Sequence, residues 1–125
     1  QTSLDVLARH FGRSQHLSQA KMKAISDVAV SVEAARQLVY HAAVTKDAGI
    51  RADKECAFAK LFASEVAVRA ADIAIDAIGL EALTPNLPLE RVYRDAKLGE
   101  IGEGTSEVMR MIIAKEVLKE ATETP

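Results

Sequence analysis

Two long stretches of this sequence repeat apolar residues every three or four positions, and a glycine follows each stretch. The first covers residues 14–48 and precedes Gly49, and the second covers residues 51–78 and precedes Gly79. This spacing predicts helices, because the apolar residues of a half-buried strand would alternate instead. Glycine is common directly after the end of a helix. Two helices of about 30 residues, each about 45 Å long, predict an all-α fold, and we expect an antiparallel up-and-down helical bundle without strands.

The segment after Gly79 predicts a loop followed by a short helix. The loop covers residues 80–87 and includes Pro85. Pro88 suits the first position of the short helix, because a proline there lacks an N–H that the helix would leave unpaired anyway. The expected apolar face of this helix comprises Leu89, Val92, Tyr93 and Ala96.

A last helix is predicted near the end of the sequence. The glycine-rich residues 99–104 before it are expected to be non-helical. Thr105 or Ser106 can cap the helix start, and Glu107 lies near its positive end. The tail 122–125 is expected to fray. The expected buried face of the helix comprises Val108, Met109, Ile112, Ile113 and Val117.

Composition excludes several functional classes. The chain has 125 residues, which predicts one domain. Lys and Arg number 16 and Asp and Glu number 18, giving a formal net charge of −2. We therefore expect no nucleic-acid partner bound mainly through charge. No uncharged apolar run approaches the roughly 20 residues of a membrane span. The sequence begins without Met, so we expect a piece of a longer protein.

Cysteine and histidine give no sign of a metal site. Cys56 is the single cysteine, so an intrachain disulfide is impossible, which fits a reducing compartment. Its position on an apolar helix face predicts core packing rather than a nucleophile. His10, His16 and His41 are scattered, and none follows a Glu by three positions, as di-iron bundles require. We expect surface or cap histidines and no bound metal.

The most informative feature is a carboxylate between two glycines, just before a predicted helix start. Gly102 and Gly104 flank Glu103 and would let a backbone and a ligand approach closely. The helix start offers unpaired N–H groups to an anionic ligand such as a phosphate. Glu103 could act there as a general base. It could equally be a solvated loop residue near a cap, and the residues alone leave both readings open.

The same stretch resembles the C-terminal signature of the acyl-CoA dehydrogenase family, and nearly the whole chain is similar to that family's C-terminal helical domain. The resemblance implies a fragment, residues 1–125, of a larger three-domain flavoenzyme, with most of the first bundle helix missing. The matching positions are Arg94-Asp95, Ile101, Glu103-Gly104-Thr105-Ser106 and Arg110, with Phe11-Gly12, Gln19 and the helix from Pro88 to Tyr93.

The resemblance implies FAD-dependent α,β-dehydrogenation of an acyl-CoA thioester to the trans-2-enoyl-CoA, with Glu103 removing the α-proton. It implies an electron-transferring flavoprotein as acceptor, a dimer, tetramer or hetero-oligomer, and a location in the bacterial cytoplasm or mitochondrial matrix rather than secretion. The 125-residue chain alone is expected to be inactive. Implied FAD contacts are Phe11, Gln19, Gly79, Thr105 and Glu107, the first two partly from a neighbouring subunit, and implied substrate contacts are Gly102 and Gly104.

Other functions within this resemblance stay open. Residues 79–82 retain only the first glycine of a loop that meets FAD in the family, and Leu80 and Ala82 add side chains there, while Asp76 replaces a Gln. These departures favour a non-catalytic partner subunit, whereas Glu103 and its neighbours favour the enzyme. An acyl-CoA oxidase-like relative would differ in its electron acceptor.

Gly102 suggests an acyl group of a particular shape. The family commonly has Tyr at this position, and loss of an aromatic ring can open on the order of 100 Å³ in a packed interior. We therefore expect a bulky acyl group, branched or ring-bearing. The alternatives are that a neighbouring side chain fills the gap, or that Gly102 serves only backbone freedom.

Overall fold

The chain folds into five α-helices and contains no strand within residues 1–123, the part that the structure describes. The structure is a computed structural model, and it confirms the predicted all-α class. A short 3₁₀ turn, Leu80–Leu83, lies between the third and fourth helices. The helices are α1 (Thr2–Phe11), α2 (Gln19–Asp47), α3 (Asp53–Ile78), α4 (Leu89–Ile101) and α5 (Ser106–Glu123).

Helix α3 is the centre of the bundle, because α1, α2, α4 and α5 all pack against it. The connection between α2 and α3 spans only residues 48–52, and so short a loop makes the two helices antiparallel neighbours. The buried surface of α3 is built mainly from small side chains, which let the backbones of neighbouring helices approach closely. Its buried residues are Ala57, Ala59, Ser64, Val66, Ala70, Ala71 and Ala74.

The larger core side chains lie at the end of the bundle that contains the α1–α2 connection. Leu7 of α1 and Leu89 of α4 are fully buried there. Ala82 of the 3₁₀ turn is equally inaccessible, so this turn closes the same end of the core. The complete cluster comprises Val6, Leu7, Phe11, Val28, Ala70, Ala74, Ala82 and Leu89.

Two predicted helix starts differ from the structure. α2 begins at Gln19 rather than near residue 14, because the Ser18 hydroxyl accepts a hydrogen bond from the Lys21 N–H at 3.4 Å and caps the helix. Pro88 is the N-cap of α4, one position before the predicted one. Gly49 has a φ of 73° directly after the C-cap of α2, as the sequence predicts.

The prediction that residues 99–104 are non-helical is wrong for the first half of that segment. α4 continues through Gly99 and ends at Ile101. A single glycine costs a helix only about 1 kcal/mol, and Gly99 allows close packing on α3. A Cβ added at Gly99 would lie 3.4 Å from the Ser64 Cβ.

The predicted buried face of α5 is only partly correct. Met109 is buried and Ile112 and Ile113 are half-buried, whereas Val108 and Val117 are exposed. The predicted stripe is wider than the contact with α3, the one helix in residues 1–123 against which α5 packs extensively. Residues 122–123 of the predicted frayed tail are helical, and residues 124–125 lie outside the described part.

Large apolar side chains are also exposed elsewhere on the bundle. Val30 and Val44 on α2 and Met111 and Leu118 on α5 each expose about two-thirds or more of their surface. These side chains are available for contact with another chain or domain. No helix of residues 1–123 has the length and apolar character that crossing a membrane requires.

The packing on α3 predicts that enlarging a buried alanine destabilises the fold. Ala74 is fully buried in α3, and Ala74→Leu should lower the free energy of unfolding by about 1–3 kcal/mol, because its neighbours must move apart. Ala67→Leu, at an exposed position of the same helix, should change it by less than about 0.5 kcal/mol. Urea unfolding followed by circular dichroism measures both, and equal losses in the two variants would contradict this packing.

Candidate functional site

The turn between α4 and α5 is the most constrained backbone segment of the structure. α4 ends when the Gly102 N–H donates to the Leu98 carbonyl oxygen at 2.8 Å. Glu103 and Gly104 then adopt φ values of 53° and 102°. Gly104 cannot be replaced without movement, because an added Cβ would lie 2.7 Å from the Met109 methyl carbon.

Glu103 is the one non-glycine residue with a positive φ in residues 1–123. A left-handed backbone costs a residue with a side chain about 1–2 kcal/mol, and such strain is concentrated at functional sites. The Glu103 side chain is exposed, and within the described chain its carboxylate makes no hydrogen bond or ion pair. The carboxylate is therefore not used to stabilise the turn and is available to an external partner.

Thr105 caps the start of α5, which decides between the two predicted candidates. Its hydroxyl accepts a hydrogen bond from the Val108 N–H at 3.4 Å. The Ser106 hydroxyl is buried and has no partner within residues 1–123. The pKa of Glu107 is lowered, first by its own backbone N–H and then by the Thr105 hydroxyl, with a smaller contribution from Arg110. Glu107 is therefore a stable carboxylate at the helix start, as predicted.

A cleft of about 790 Å³ lies between α2, α3 and α4 and extends to the turn. That volume is within the usual range for small-molecule sites. Glu103 and Lys60 also line a smaller cleft of about 460 Å³ beside α5, so both residues lie where the two clefts meet. Residues that line the larger cleft include Val39, Ala42, Ala59, Ala63, Leu98 and Gly102.

Cys56 lies in both clefts, and the prediction that it packs in the core is wrong. Its side chain is exposed where the larger cleft, lined by residues of α2, α3 and α4, meets the smaller one. The sequence analysis also missed Lys60. A signal was present, since Cys56, Lys60 and Ser64 are spaced by four and so share one face of a helix.

The backbone angles at position 102 do not require a glycine. Its φ of −68° and ψ of 145° are accessible to any residue. A Cβ at this position would lie 3.2 Å from the Leu98 carbonyl oxygen and 3.8 Å from Leu98 Cδ1. A side chain could be accommodated if the end of α4 moved by a few tenths of an ångström, so glycine here keeps this part of the cleft open.

Phe11 and Gln19 lie at the opposite end of the bundle from Glu103. Phe11 is buried, with the His10 ring edge-on at 4.7 Å and Lys21 Nζ 4.8 Å from its ring centre. Gln19 is exposed at the first position of α2. The structure thus presents Gln19 to the surface and places Phe11 beneath Lys21.

Gly79 belongs to this second group and ends α3 with a φ of 84°. A Cβ added there would meet nothing within 4 Å, so the glycine faces open space. The expectation that Ala82 projects toward a cofactor is wrong, because its methyl group is buried in the core beside Phe11. Leu80 and Asp76 are exposed, so both side chains can contact another molecule at this surface.

The predicted site residues therefore form two groups at the two ends of α3. Lys60 lies beside Glu103, whereas Gly79 ends α3. The distance along the helix axis between Lys60 and Gly79 is roughly 28 Å, at 1.5 Å per residue. Gly102, Glu103, Gly104, Thr105 and Glu107 form one group, and Phe11, Gln19 and Gly79 form the other. The described chain does not unite them in one site, and it contains no cluster of three His, Cys, Asp or Glu side chains able to hold a metal.

The strain at Glu103 predicts an unusual response to glycine. Glu103→Gly removes the left-handed penalty of about 1–2 kcal/mol and adds about 0.5–1 kcal/mol of unfolded-state entropy. The free energy of unfolding should stay the same or rise. Ala114→Gly, at an exposed site in α5, should lower it by about 1 kcal/mol. Urea titration compares the two, and a loss at Glu103→Gly as large as that at Ala114→Gly would show that the turn is unstrained.

Comparison with known proteins identifies the family. The acyl-CoA dehydrogenase C-terminal domain matches residues 8–118. The chain is 45% identical over 111 residues to the probable acyl-CoA dehydrogenase YngJ of Bacillus subtilis, covering 89% of this chain and 29% of that protein. It is 41% identical over 111 residues to cyclohexane-1-carbonyl-CoA dehydrogenase of Geobacter metallireducens, with the same coverage of both.

A solved structure shows the same fold. Butyryl-CoA dehydrogenase from Megasphaera elsdenii superposes with a TM-score of 0.85 at 31% identity, covering 93% of this chain and 32% of that one. The chain thus spans less than a third of the length of these relatives. It belongs to the acyl-CoA dehydrogenase family and corresponds to the C-terminal helical domain of that family.

Proposed function

We propose that this chain provides the catalytic base of an FAD-dependent acyl-CoA dehydrogenase, and that the base is Glu103. The observation that supports this role most is the combination of a strained, left-handed backbone at Glu103 with an unpaired carboxylate at a largely apolar cleft. The left-handed conformation also ends α4, and its combination with an unpaired carboxylate favours a functional residue over a solvated loop residue.

The proposed reaction begins with an acyl-CoA thioester whose α-carbon faces the Glu103 carboxylate. One carboxylate oxygen takes the α-proton, and the electron pair of that C–H bond forms the new α,β double bond. Bound FAD would accept the hydride that leaves the β-carbon, so that a trans-2-enoyl thioester results. The apolar side chains of Val39, Ala42 and Ala59 would pack against the acyl group, and the bound substrate would displace water from the cleft.

Two surfaces of the chain are proposed to contact a flavin. Thr105 and Glu107 lie at the start of α5, next to the base. Gln19 and Gly79 are exposed about 28 Å away along α3, with Phe11 buried behind them. We propose that the second surface contacts the flavin of a neighbouring copy in a homo-oligomer, which would also cover exposed apolar side chains of the bundle. An electron-transferring flavoprotein is the proposed acceptor of the electrons.

The open position at Gly102 supports a bulky acyl group. Gly102 lines the cleft beside Glu103, and its backbone angles do not call for glycine. One relative is named for a ring-bearing substrate, cyclohexane-1-carbonyl-CoA, and one neighbour for the straight-chain butyryl-CoA. We propose that this protein accepts branched or ring-bearing acyl groups, for which the missing side chain makes room.

The proposed role of Glu103 predicts how replacement of its carboxylate by an amide changes the reaction rate. In the FAD-containing protein that includes this chain, Glu103→Gln should retain FAD but slow acyl-CoA-dependent bleaching of the flavin at least about a hundredfold, because an amide cannot accept the α-proton. Glu90→Gln removes an exposed carboxylate elsewhere, in α4, and should bleach at the normal rate. Stopped-flow absorbance measures both, and normal bleaching by Glu103→Gln would rule out this base.

The role of Gly102 predicts a selective change in substrate preference. Gly102→Tyr should lower kcat/KM for a cyclohexane-1-carbonyl thioester at least about tenfold more than for a butyryl thioester, because the ring occupies the space of the bulky group. Gly102→Ala adds only the Cβ that approaches the Leu98 carbonyl, and therefore measures the strain of the turn alone. Equal losses for both substrates in Gly102→Tyr would show that this position does not select the acyl group.

A further inference from the structure

The end of α4 leaves backbone carbonyls without helical partners, and Lys60 binds one of them. The Gly102 N–H satisfies the Leu98 carbonyl. The Lys60 ammonium group of α3 donates to the next carbonyl oxygen, that of Gly99. A cation at this position also interacts favourably with the negative end of the helix dipole. Lys60 therefore fixes the last turn of α4 to α3.

The backbones of α3 and α4 also lie close together near the hydrogen bond between Lys60 and Gly99. Gly99 packs on Ser64, one helical turn after Lys60 on α3, and a Cβ added at Gly99 would be in van der Waals contact with the Ser64 Cβ, at 3.4 Å. Ser64 is buried and its hydroxyl donates to the Leu61 carbonyl oxygen at 3.1 Å. The Lys60 hydrogen bond and the Gly99–Ser64 contact together define where α4 ends relative to α3.

The position of Glu103 depends on where α4 ends. Only three residues lie between Gly99 and Glu103, and the Glu103 carboxylate has no hydrogen bond of its own within residues 1–123. The direction of the side chain is thus determined by the backbone that precedes and follows it. The Thr105 cap of α5 holds the backbone after Glu103, and the Lys60 hydrogen bond to the Gly99 carbonyl holds the backbone before it.

We propose that Lys60 is a positioning residue for Glu103: by binding the Gly99 carbonyl, it holds the turn so that the carboxylate faces the acyl group. This inference rests on the proposed function of Glu103. Lys60 lines both clefts together with Glu103, so it stands beside the carboxylate without forming an ion pair with it. Lys60 acts through the backbone and not on the substrate.

The test compares two lysines of α3 in the FAD-containing protein. Lys60→Met removes the donor to Gly99. Lys54→Met is the matched control, because Lys54 is also half-buried on α3 but pairs with Glu120 of α5, away from the turn. Lys60→Met should slow flavin reduction at saturating acyl-CoA at least about tenfold and leave the half-saturating concentration within about twofold of wild type. Lys54→Met should change neither, and Lys60→Arg, which keeps a donor, should retain most of the rate.

A second readout does not depend on activity. Amide hydrogen exchange of the segment 100–106 should become at least about tenfold faster in Lys60→Met and stay unchanged in Lys54→Met, because only the first loosens the turn. A protein without dehydrogenase activity would disprove the proposed function, while this exchange comparison would still test the contact between Lys60 and Gly99.

Three results would overturn the positioning role. The first is a Lys60→Met variant that reduces flavin at the wild-type rate, or no more slowly than Lys54→Met. The second is a rise in the half-saturating concentration with an unchanged maximal rate, which would mean a substrate contact instead. The third is unchanged exchange of the segment 100–106.

Discussion

The close approach of four helices to the small side chains of α3 is the constraint on which this structure depends. Ala71 and Ala74 are fully inaccessible, and Ser64 lies directly beneath Gly99 of α4. Larger side chains at these positions would separate the helices. Because α4 and α5 both rest on α3, the turn that connects them is held from both sides, and a backbone conformation that is unfavourable for Glu103 can persist.

That strained turn links packing to function. The conformation of Glu103 persists because the segments on either side of it are held: the Gly102 N–H donates to the Leu98 carbonyl oxygen and Lys60 to that of Gly99, and Thr105 caps α5. The carboxylate itself contributes no contact within the described chain. A preorganised but unengaged carboxylate at an apolar cleft is the arrangement that the proposed general-base role needs. The proposed flavin contacts lie at the two ends of α3, which implies that such a site is completed by other parts of the protein or by a second copy.

Much of the fold could be predicted from local pattern, and the failures have physical causes. Apolar spacing and the following glycines located α2 and α3, because those signals are contained within each helix. The end of α4 was misjudged, since the packing of Gly99 on Ser64 is a contact between distant residues that outweighs the poor helix propensity of glycine. The exposure of Cys56 and the proposed role of Lys60 depend on how α2, α3 and α4 pack around the cleft, which no local pattern specifies. For Glu103, the flanking glycines showed that the turn is special, but its positive φ became visible only in the structure.

The most direct test of the account is a crystal structure of the FAD-containing protein with an acyl-CoA bound. The account predicts a Glu103 carboxylate oxygen about 3 Å from the acyl α-carbon, with the positive φ of Glu103 and the Lys60 hydrogen bond to Gly99 preserved. An α-carbon facing a different carboxylate, with Glu103 directed into solvent, would contradict it.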